Sequence, residues 1–388
     1  MKPASLILKS LSFLVLAVVT VAAMTYFGLI DLDSLRQALV HGQRWLFVAF
    51  ALGLGAACIN LWRYARLLEL LQVLVPFRGV AAATSVSLFV GQWLPGSMAV
   101  SEMVRLGLMV GAEKLNAGAA RQADTDPSGR ARPDRPSGNK ARIFVASFLD
   151  RACGLIVFMT VGSTACLAAL GLEAQRGSGD LPAHELSLLG GLIIFGVCGT
   201  SALLSLPWLA KHPAVLRSLE AQSVRWLATS NRSGRLLGRF MGVLRKVTAP
   251  MADPAFTYRG FASALAISSM SSLSLVGLFW ACAQAVGFPM TYLQVAAVFP
   301  FLAIAQLLPI GFGGIGGHQL VAVALFQAFS LDARGVATVS LVAGVVPLVL
   351  NAAVGVFFLH TSAGQVKAIL QRAGTDVPLD SLTNTDAI

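Results

Sequence analysis

Four charged residues lie inside otherwise apolar segments: Glu102, Arg105, Asp150 and Arg151. A charge in such a place is costly and is therefore usually paired or functional. Glu102 and Arg105 are three residues apart, so on a helix they share a face and can pair. Asp150 and Arg151 are neighbours that point about 100° apart on a helix. This spacing favours a cross-pair between Asp150 and Arg105 and leaves Arg151 to face a cavity.

Two interpretations of these charges stay open. In the first, the cluster binds the phosphate of a lipid headgroup, because the planar fork of arginine matches phosphate oxygens. In the second, the same residues form a structural ion-pair network that fixes two membrane segments to each other. Removing one partner would be harmful in either case, since it leaves a buried charge without compensation.

A second candidate site is a glycine-rich stretch at 306–319. Five glycines within seven residues, just after a proline, cannot continue a helix. The stretch predicts two half-helices that meet inside the membrane, with a short extramembrane loop as the alternative. The second half-helix would offer free N–H groups to an anion, unless the glycines only allow close packing. The candidate binding residues here are Pro309, Gly313, Gly314, Gly316 and Gln319.

Patterns typical of catalytic or metal sites are missing from the sequence. The five histidines and five cysteines are scattered, without the spacing of a zinc site. Neither a P-loop nor a nucleophile elbow is found. We therefore expect a protein that is not an enzyme and that has no catalytic residues, no metal and no cofactor.

Composition places the chain in the membrane. Of its 388 residues, 56% are hydrophobic and 12% charged, whereas soluble domains carry about 25% charged residues. Several runs exceed the roughly 18 apolar residues needed to cross a bilayer. The net charge of +11 resides in loops between these runs, which indicates membrane topology and anionic lipid headgroups rather than nucleic acid.

The predicted fold is an all-α polytopic membrane protein with about six full spans and two re-entrant helical hairpins. The spans are expected at about 11–30, 45–71, 143–170, 186–206, 260–286 and 336–360, and the hairpins at 80–110 and 292–329. Together they form a single transmembrane domain, residues 1–360. We expect the first span to be an uncleaved helix rather than a signal peptide.

Three polar segments are expected on the cytoplasmic side. Residues 112–142 read as a disordered loop, and residues 361–388 as a short polar tail. Residues 207–259 mix apolar and basic residues, which predicts amphipathic helices lying on an anionic leaflet. A solvated helical hairpin is the alternative for this basic segment.

Charge distribution gives the topology. If both hairpins enter and leave on the same side, 23 of the 29 Lys and Arg residues, including Arg63, lie in cytoplasmic segments and 4 lie outside. Both termini are then cytoplasmic. A Gln-x-Leu-Pro pattern at 92–95 recurs at 306–309 in the half of opposite orientation. Broken helices at matching places indicate an inverted repeat with a binding site near the midplane.

Residues 308–319 and the apolar run that follows them resemble the C-terminal signature of the lysylphosphatidylglycerol synthase transmembrane-region family, a flippase-like integral membrane domain. Leu94 to Gly96 with Glu102 and Arg105 are similar to a second motif of that family, and Asp150 to Leu155 to a third. The resemblance implies a bacterial or archaeal cytoplasmic (inner) membrane protein that handles phospholipid or isoprenoid-phosphate carriers.

One departure from the family pattern concerns the headgroup. Gln319 stands where the family pattern has an acid, which argues against recognition of a cationic headgroup. We also expect no fused aminoacyl-transfer domain, so this protein is not expected to synthesise a lysyl-lipid.

The sequence thus predicts a lipid translocase for an anionic phospholipid or an isoprenoid-phosphate lipid. One alternative is a non-transporting membrane partner of a lipid- or envelope-modifying enzyme. The other is an intramembrane lipid-modifying enzyme. The expected partners are membrane lipids with anionic headgroups, together with a second copy of the chain or a lipid-modifying enzyme.

Overall fold

The structure is a computed structural model, and it describes residues 32–92, 97–123, 139–175, 183–215, 217–218, 221, 231–305 and 317–361, as well as residues 22, 25 and 26. Most of the predicted first span, the tip of the first hairpin at 93–96, the glycine-rich residues 306–316 and the tail after residue 361 lie outside the described residues.

Within the described residues the chain is helical. The helices are α1 (Leu32–Val40), α2 (Gln43–Leu70), α3 (Phe77–Gln92), α4 (Ser97–Ala123), α5 (Asn139–Gln175), α6 (Ala183–Lys211), α7 (Asn231–Met251), α8 (Tyr258–Val286), α9 (Tyr292–Ala305), α10 (Gly317–Phe326) and α11 (Ala333–Thr361), with a short 3-10 helix at Gln327–Phe329.

Five of these helices are long and apolar enough to cross a membrane: α2, α5, α6, α8 and α11. Their mean hydropathy ranges from 1.6 to 2.3 over the most apolar window. They coincide with five of the six predicted spans, and the all-helical membrane class is confirmed. The sixth predicted span, at 11–30, falls mostly on residues that are not described.

Two predicted polar segments are more helical than expected. The prediction of a disordered loop at 112–142 is wrong at both ends, because α4 continues to Ala123 and α5 begins at Asn139. Residues 112–123 are rich in Ala, Glu, Lys, Leu and Arg, which are strong helix formers and extend α4.

In the basic segment, Val247 and Met251 are buried in the core. Spaced i, i+4, they turn one face of α7 inward, so this end of α7 does not lie on a leaflet.

Helices α2 and α8 form the central pair of the bundle and run in opposite directions. Gly42, just before α2, lies directly against the carbonyl oxygen of Ala285 near the end of α8. At the other end, Gly260 at the start of α8 lies against the side chain of Leu70. Serines of α8 allow the close approach, and Ser271 donates a 2.8 Å hydrogen bond to Asn60 of α2.

The first hairpin, formed by α3 and α4, begins and finishes at the same end of the bundle. Only four residues separate its two helices, which pack against each other. Arg142 near the start of α5 donates hydrogen bonds to the carbonyl oxygen of Leu71 (3.3 Å) and to Oε1 of Gln72 (3.1 Å), just after α2. The chain therefore leaves α2 and enters α5 at the same end.

The second hairpin, α9 and α10, has the corresponding arrangement at the opposite end. Phe288, just after α8, lies directly against Gly335 in the first turn of α11. The chain therefore leaves α8 and enters α11 at one end of the bundle. Because α2 and α8 are antiparallel, this end is opposite to the one where the first hairpin joins.

Each hairpin packs on a span of the other half. Helix α3 packs on α11, where Phe89 lies directly against Gly355. Helix α9 packs on α5, where the ring of Phe301 covers Gly162. In both contacts a phenylalanine of the hairpin fills the space left by a glycine of the span.

Candidate functional site

Five charged side chains from three helices meet near the centre of the first half. We call them the charged cluster: Arg63 of α2, Glu102 and Arg105 of α4, and Asp150 and Arg151 of α5. The cluster contains the four charged residues that sequence analysis selected and one, Arg63, that it had assigned to a cytoplasmic flank.

Asp150 is the centre of the cluster. Its Oδ1 accepts hydrogen bonds from Nε of Arg63 at 2.8 Å and is paired with Nη2 of the same guanidinium at 2.8 Å. Its Oδ2 accepts a 3.1 Å hydrogen bond from Nη1 of Arg105. The predicted pair of Asp150 with Arg105 is confirmed. Arg63 also donates to Oγ of Ser268 at 2.8 Å, so the contact extends to α8.

Glu102 bridges the two arginines that flank it. Its Oε2 accepts a 2.7 Å hydrogen bond from Nη2 of Arg105, which confirms the predicted i, i+3 pair. Its Oε1 accepts from Nε of Arg151 at 2.7 Å and also pairs with Nη2 of that residue. Arg151 was not predicted to pair with Glu102, but the second carboxylate oxygen of Glu102 remains available and binds it.

Tyr64, the neighbour of Arg63, supports Arg105 from the side. The guanidinium carbon of Arg105 lies 4.2 Å from the centre of the Tyr64 ring, a distance typical of a cation–π contact. The Tyr64 hydroxyl is 3.1 Å from Oγ of Ser147 on α5. Helices α2, α4 and α5 are therefore joined at the cluster by both ionic and aromatic contacts.

Sequence analysis missed Arg63 and Tyr64 for a reason that the helix shows. Arg63 was counted as a basic flank of the second span, but α2 continues through the buried residues Leu67 and Leu68. A basic residue followed by another apolar turn lies inside the span rather than at its end. That pattern was the available signal for Arg63, whereas the sequence contains no comparable signal for Tyr64.

Burial decreases along the cluster. The side chains of Arg63, Arg105 and Asp150 are 7%, 3% and 5% exposed. Those of Glu102 and Arg151 are 21% and 35% exposed. Three guanidinium groups face two carboxylates, so one positive charge has no counter-charge within the cluster. The accessible end of the cluster, at Arg151, is the place where a further anion can approach.

The glycine-rich candidate site is described only in part. Pro309, Gly313, Gly314 and Gly316 lie outside the described residues. Helix α10, which corresponds to the predicted second half-helix, begins at Gly317.

The described start of α10 carries neutral polar side chains. Gln319 is fully buried near Gly344 of α11. The neighbouring His318 is also buried, and its Nδ1 lies 3.0 Å from Oγ of Ser340 on α11. In this part of the second half α10 therefore presents neutral polar groups, where α4 presents charged ones.

Comparison with known families identifies the chain. The model of the family described as the lysylphosphatidylglycerol synthase TM region matches residues 10–355. The chain belongs to this family. The resemblance inferred from the three motifs is thus confirmed over most of the sequence. No curated protein and no solved structure matches the chain.

Membership in the lysylphosphatidylglycerol synthase TM region family agrees with the five apolar helices. It identifies a multi-pass integral membrane protein tied to lipid modification. Among the described residues, no group of three or more His, Cys, Asp or Glu side chains is arranged to hold a metal ion.

Proposed function

We propose that this protein is a lipid translocase of the cytoplasmic (inner) membrane, which moves an anionic phospholipid or an isoprenoid-phosphate lipid between leaflets. The observation that carries the proposal is the charged cluster, which has an excess of one positive charge and becomes accessible towards Arg151. Ionisable groups within membrane segments typically mark a substrate or ion pathway.

The cluster divides into a fixed part and a binding part. Arg63, Arg105 and Asp150 are almost completely buried and pair with one another, so they hold α2, α4 and α5 in place. Glu102 and Arg151 form the accessible end. Two donors of Arg151 share one oxygen of Glu102, and a phosphate brought there would offer separate oxygens to the guanidinium fork. We propose that Arg151, with Glu102 beside it, binds the phosphate, and that Arg105 and Asp150 position this pair from the buried side.

An inverted repeat with two re-entrant hairpins would give this site access to both leaflets. The proposal is supported by the junctions of α2 with α5 and of α8 with α11, which lie at opposite ends of the bundle. It is also supported by the packing of each hairpin on a span of the other half. We propose that Gln319 and the glycine-rich residues Pro309, Gly313, Gly314 and Gly316 line the pathway in the second half.

Polar contacts at the end of α2 support a cytoplasmic position for that end. Arg142 pairs with Asp253 at 2.9 Å, and Nζ of Lys211 donates to the carbonyl oxygen of Asp253 at 3.1 Å. The start of α5, the end of α6 and the turn before α8 therefore meet where the most basic segments begin. Basic loops favour the cytoplasmic side, and we propose that both termini lie there.

Translocation through this site needs no chemical change in the lipid. We propose that the protein has no catalytic residues and that its partners are the lipids themselves, with transport running downhill or coupled to an ion. A second copy of the chain or a lipid-modifying enzyme would supply or receive the lipid.

Reconstitution tests the proposal directly. The purified protein in vesicles should accelerate leaflet exchange of a fluorescent phosphatidylglycerol, measured by dithionite quenching, relative to protein-free vesicles. The lipid recovered afterwards should be unchanged in mass. A mass change would instead identify an enzyme. Failure to exchange any anionic or isoprenoid-phosphate lipid would contradict the translocase and favour a non-transporting partner.

A further inference from the structure

The first hairpin contains buried polar atoms that the charged cluster does not use. Within the described part of this hairpin, four side chains have polar atoms without a hydrogen-bond partner: Thr84 (Oγ1), Gln92 (Oε1 and Nε2), Ser101 (Oγ) and Arg105 (Nε). Each of these residues is more than nine-tenths buried. Buried polar groups are rarely left unpaired in folded proteins, and lipid cannot pair them.

These side chains are distributed over about 12 Å along the two helices of the hairpin. Gln92 is the last residue of α3, and Ser101 lies in the second turn of α4, about 6 Å from its start at 1.5 Å per residue. Thr84 lies about 12 Å further from the tip than Gln92, and Arg105 about 6 Å further than Ser101. Ser101 and Arg105 are spaced i, i+4 and share a face. The unpaired atoms therefore continue from Arg105 towards the tip.

The chemistry of these groups selects a neutral ligand with hydroxyls. The amide of Gln92 offers one acceptor and two donors, and each hydroxyl of Thr84 and Ser101 can donate and accept. A vicinal diol complements such an amide, because one hydroxyl can donate to Oε1 while the other accepts from Nε2. The only charged group among them, Arg105, already pairs with Asp150 and Glu102.

We infer that Gln92 and Ser101, with Thr84, form a hydrogen-bonding subsite for the hydroxyls of a polyol or sugar headgroup whose phosphate occupies the neighbouring charged cluster. The inference rests on the proposed translocase function and names its substrate class. It separates hydroxyl-bearing anionic lipids from anionic lipids of equal charge that lack hydroxyls. A site that hydrogen-bonds a substrate hydroxyl rejects the analogue without it, since its buried polar groups then stay unpaired.

Two lipids of the same charge provide the test. Phosphatidylglycerol carries a vicinal diol, and phosphatidylethanol carries none. Wild-type protein in vesicles is expected to exchange phosphatidylglycerol at least about tenfold faster than phosphatidylethanol. In the double variant Gln92→Met with Ser101→Ala, this ratio is expected to fall to about one. Ser274→Ala is the matched control, because its hydroxyl bonds only to the carbonyl oxygen of Met270 in its own helix, and its ratio should equal that of the wild type.

A binding measurement separates the two proposals. Short-chain forms of both lipids are titrated into the purified protein in detergent, with the folded state of each variant checked by gel filtration. Equal exchange of both lipids by the wild type would overturn the subsite, and water would then fill it, while the translocase stands. If neither lipid is exchanged, the protein is not a translocase for these phospholipids. The subsite then stands only if phosphatidylglycerol still binds more tightly than phosphatidylethanol and the double variant loses that preference.

Discussion

At the residue scale, Asp150 has the most restrictive surroundings in the charged cluster. One carboxylate, almost completely buried, pairs with two guanidinium groups from two other helices. A buried ion pair adds little net stability compared with an apolar contact, but removing one partner leaves charges that neither lipid nor protein can compensate. Asp150 is therefore the residue at which the cluster is most sensitive to change.

Replacing this carboxylate tests its structural role. Asp150→Asn keeps the size of the side chain and removes its charge, so Arg63 loses its only ionic partner among the described residues. We expect the free energy of unfolding to fall by about 3–5 kcal/mol, measured by denaturant titration in detergent micelles.

Glu69→Gln is the matched control for that variant. Glu69 pairs with Arg66 on the same helix that carries Arg63, but the two side chains are 59% and 52% exposed. Exposed pairs contribute little to stability, so the control should unfold nearly as the wild type does. Equal stability of Asp150→Asn and Glu69→Gln would refute the assigned role of Asp150.

Part of this site was predictable from sequence and part was not. The pairs of Arg105 with Glu102 and with Asp150 followed from helical spacing and from the cost of buried charge, and both are confirmed. The pairing of Arg63 with Asp150 joins residues 87 positions apart, and no local pattern encodes it. The same is true of the contact between Arg151 and Glu102, which depends on how α4 and α5 pack.

At the element scale, the length of the apolar runs predicted the membrane spans, and clusters of proline and glycine predicted where helices are interrupted. The limits of α2, α5, α6, α8 and α11 lie within a few residues of the predicted spans. Helix ends in polar segments were less predictable, since α4 and α5 continue where the composition indicated disorder. A polar helix of good helix formers and a polar loop share much of their composition, and packing decides between them.

The arrangement of the hairpins predicts from which side of the membrane each loop can be labelled. Because α2 ends beside the start of α5, single cysteines at Gln72 and Lys140 should react with an impermeant maleimide from the same side of the membrane. Cysteines at His41 and Asp332 should react from the opposite side. The measurement uses oriented vesicles and a background in which the five native cysteines are replaced by alanine. Labelling of Gln72→Cys and Lys140→Cys from opposite sides would mean that α3 and α4 together cross the membrane once instead of folding back.

At the scale of the whole molecule, the two halves carry different side-chain chemistry. Each half supplies a hairpin that packs on a span of the other. The described cluster of five charges lies in the first half, while α10 presents the neutral Gln319 and His318. The excess positive charge therefore lies in the first half, and the described start of α10 adds no acidic or permanently charged side chain.

Leaflet exchange by variants of Arg151 tests the central claim most directly. Arg151→Gln removes the accessible guanidinium, whereas Arg66→Gln removes an exposed one outside the cluster. We expect exchange of fluorescent phosphatidylglycerol to fall at least about tenfold in Arg151→Gln, since the charge-assisted hydrogen bonds to phosphate are lost. The rate for Arg66→Gln should match the wild type, and both variants should stay folded. A folded Arg151→Gln protein that exchanges the lipid as fast as the wild type would contradict transport through the charged cluster.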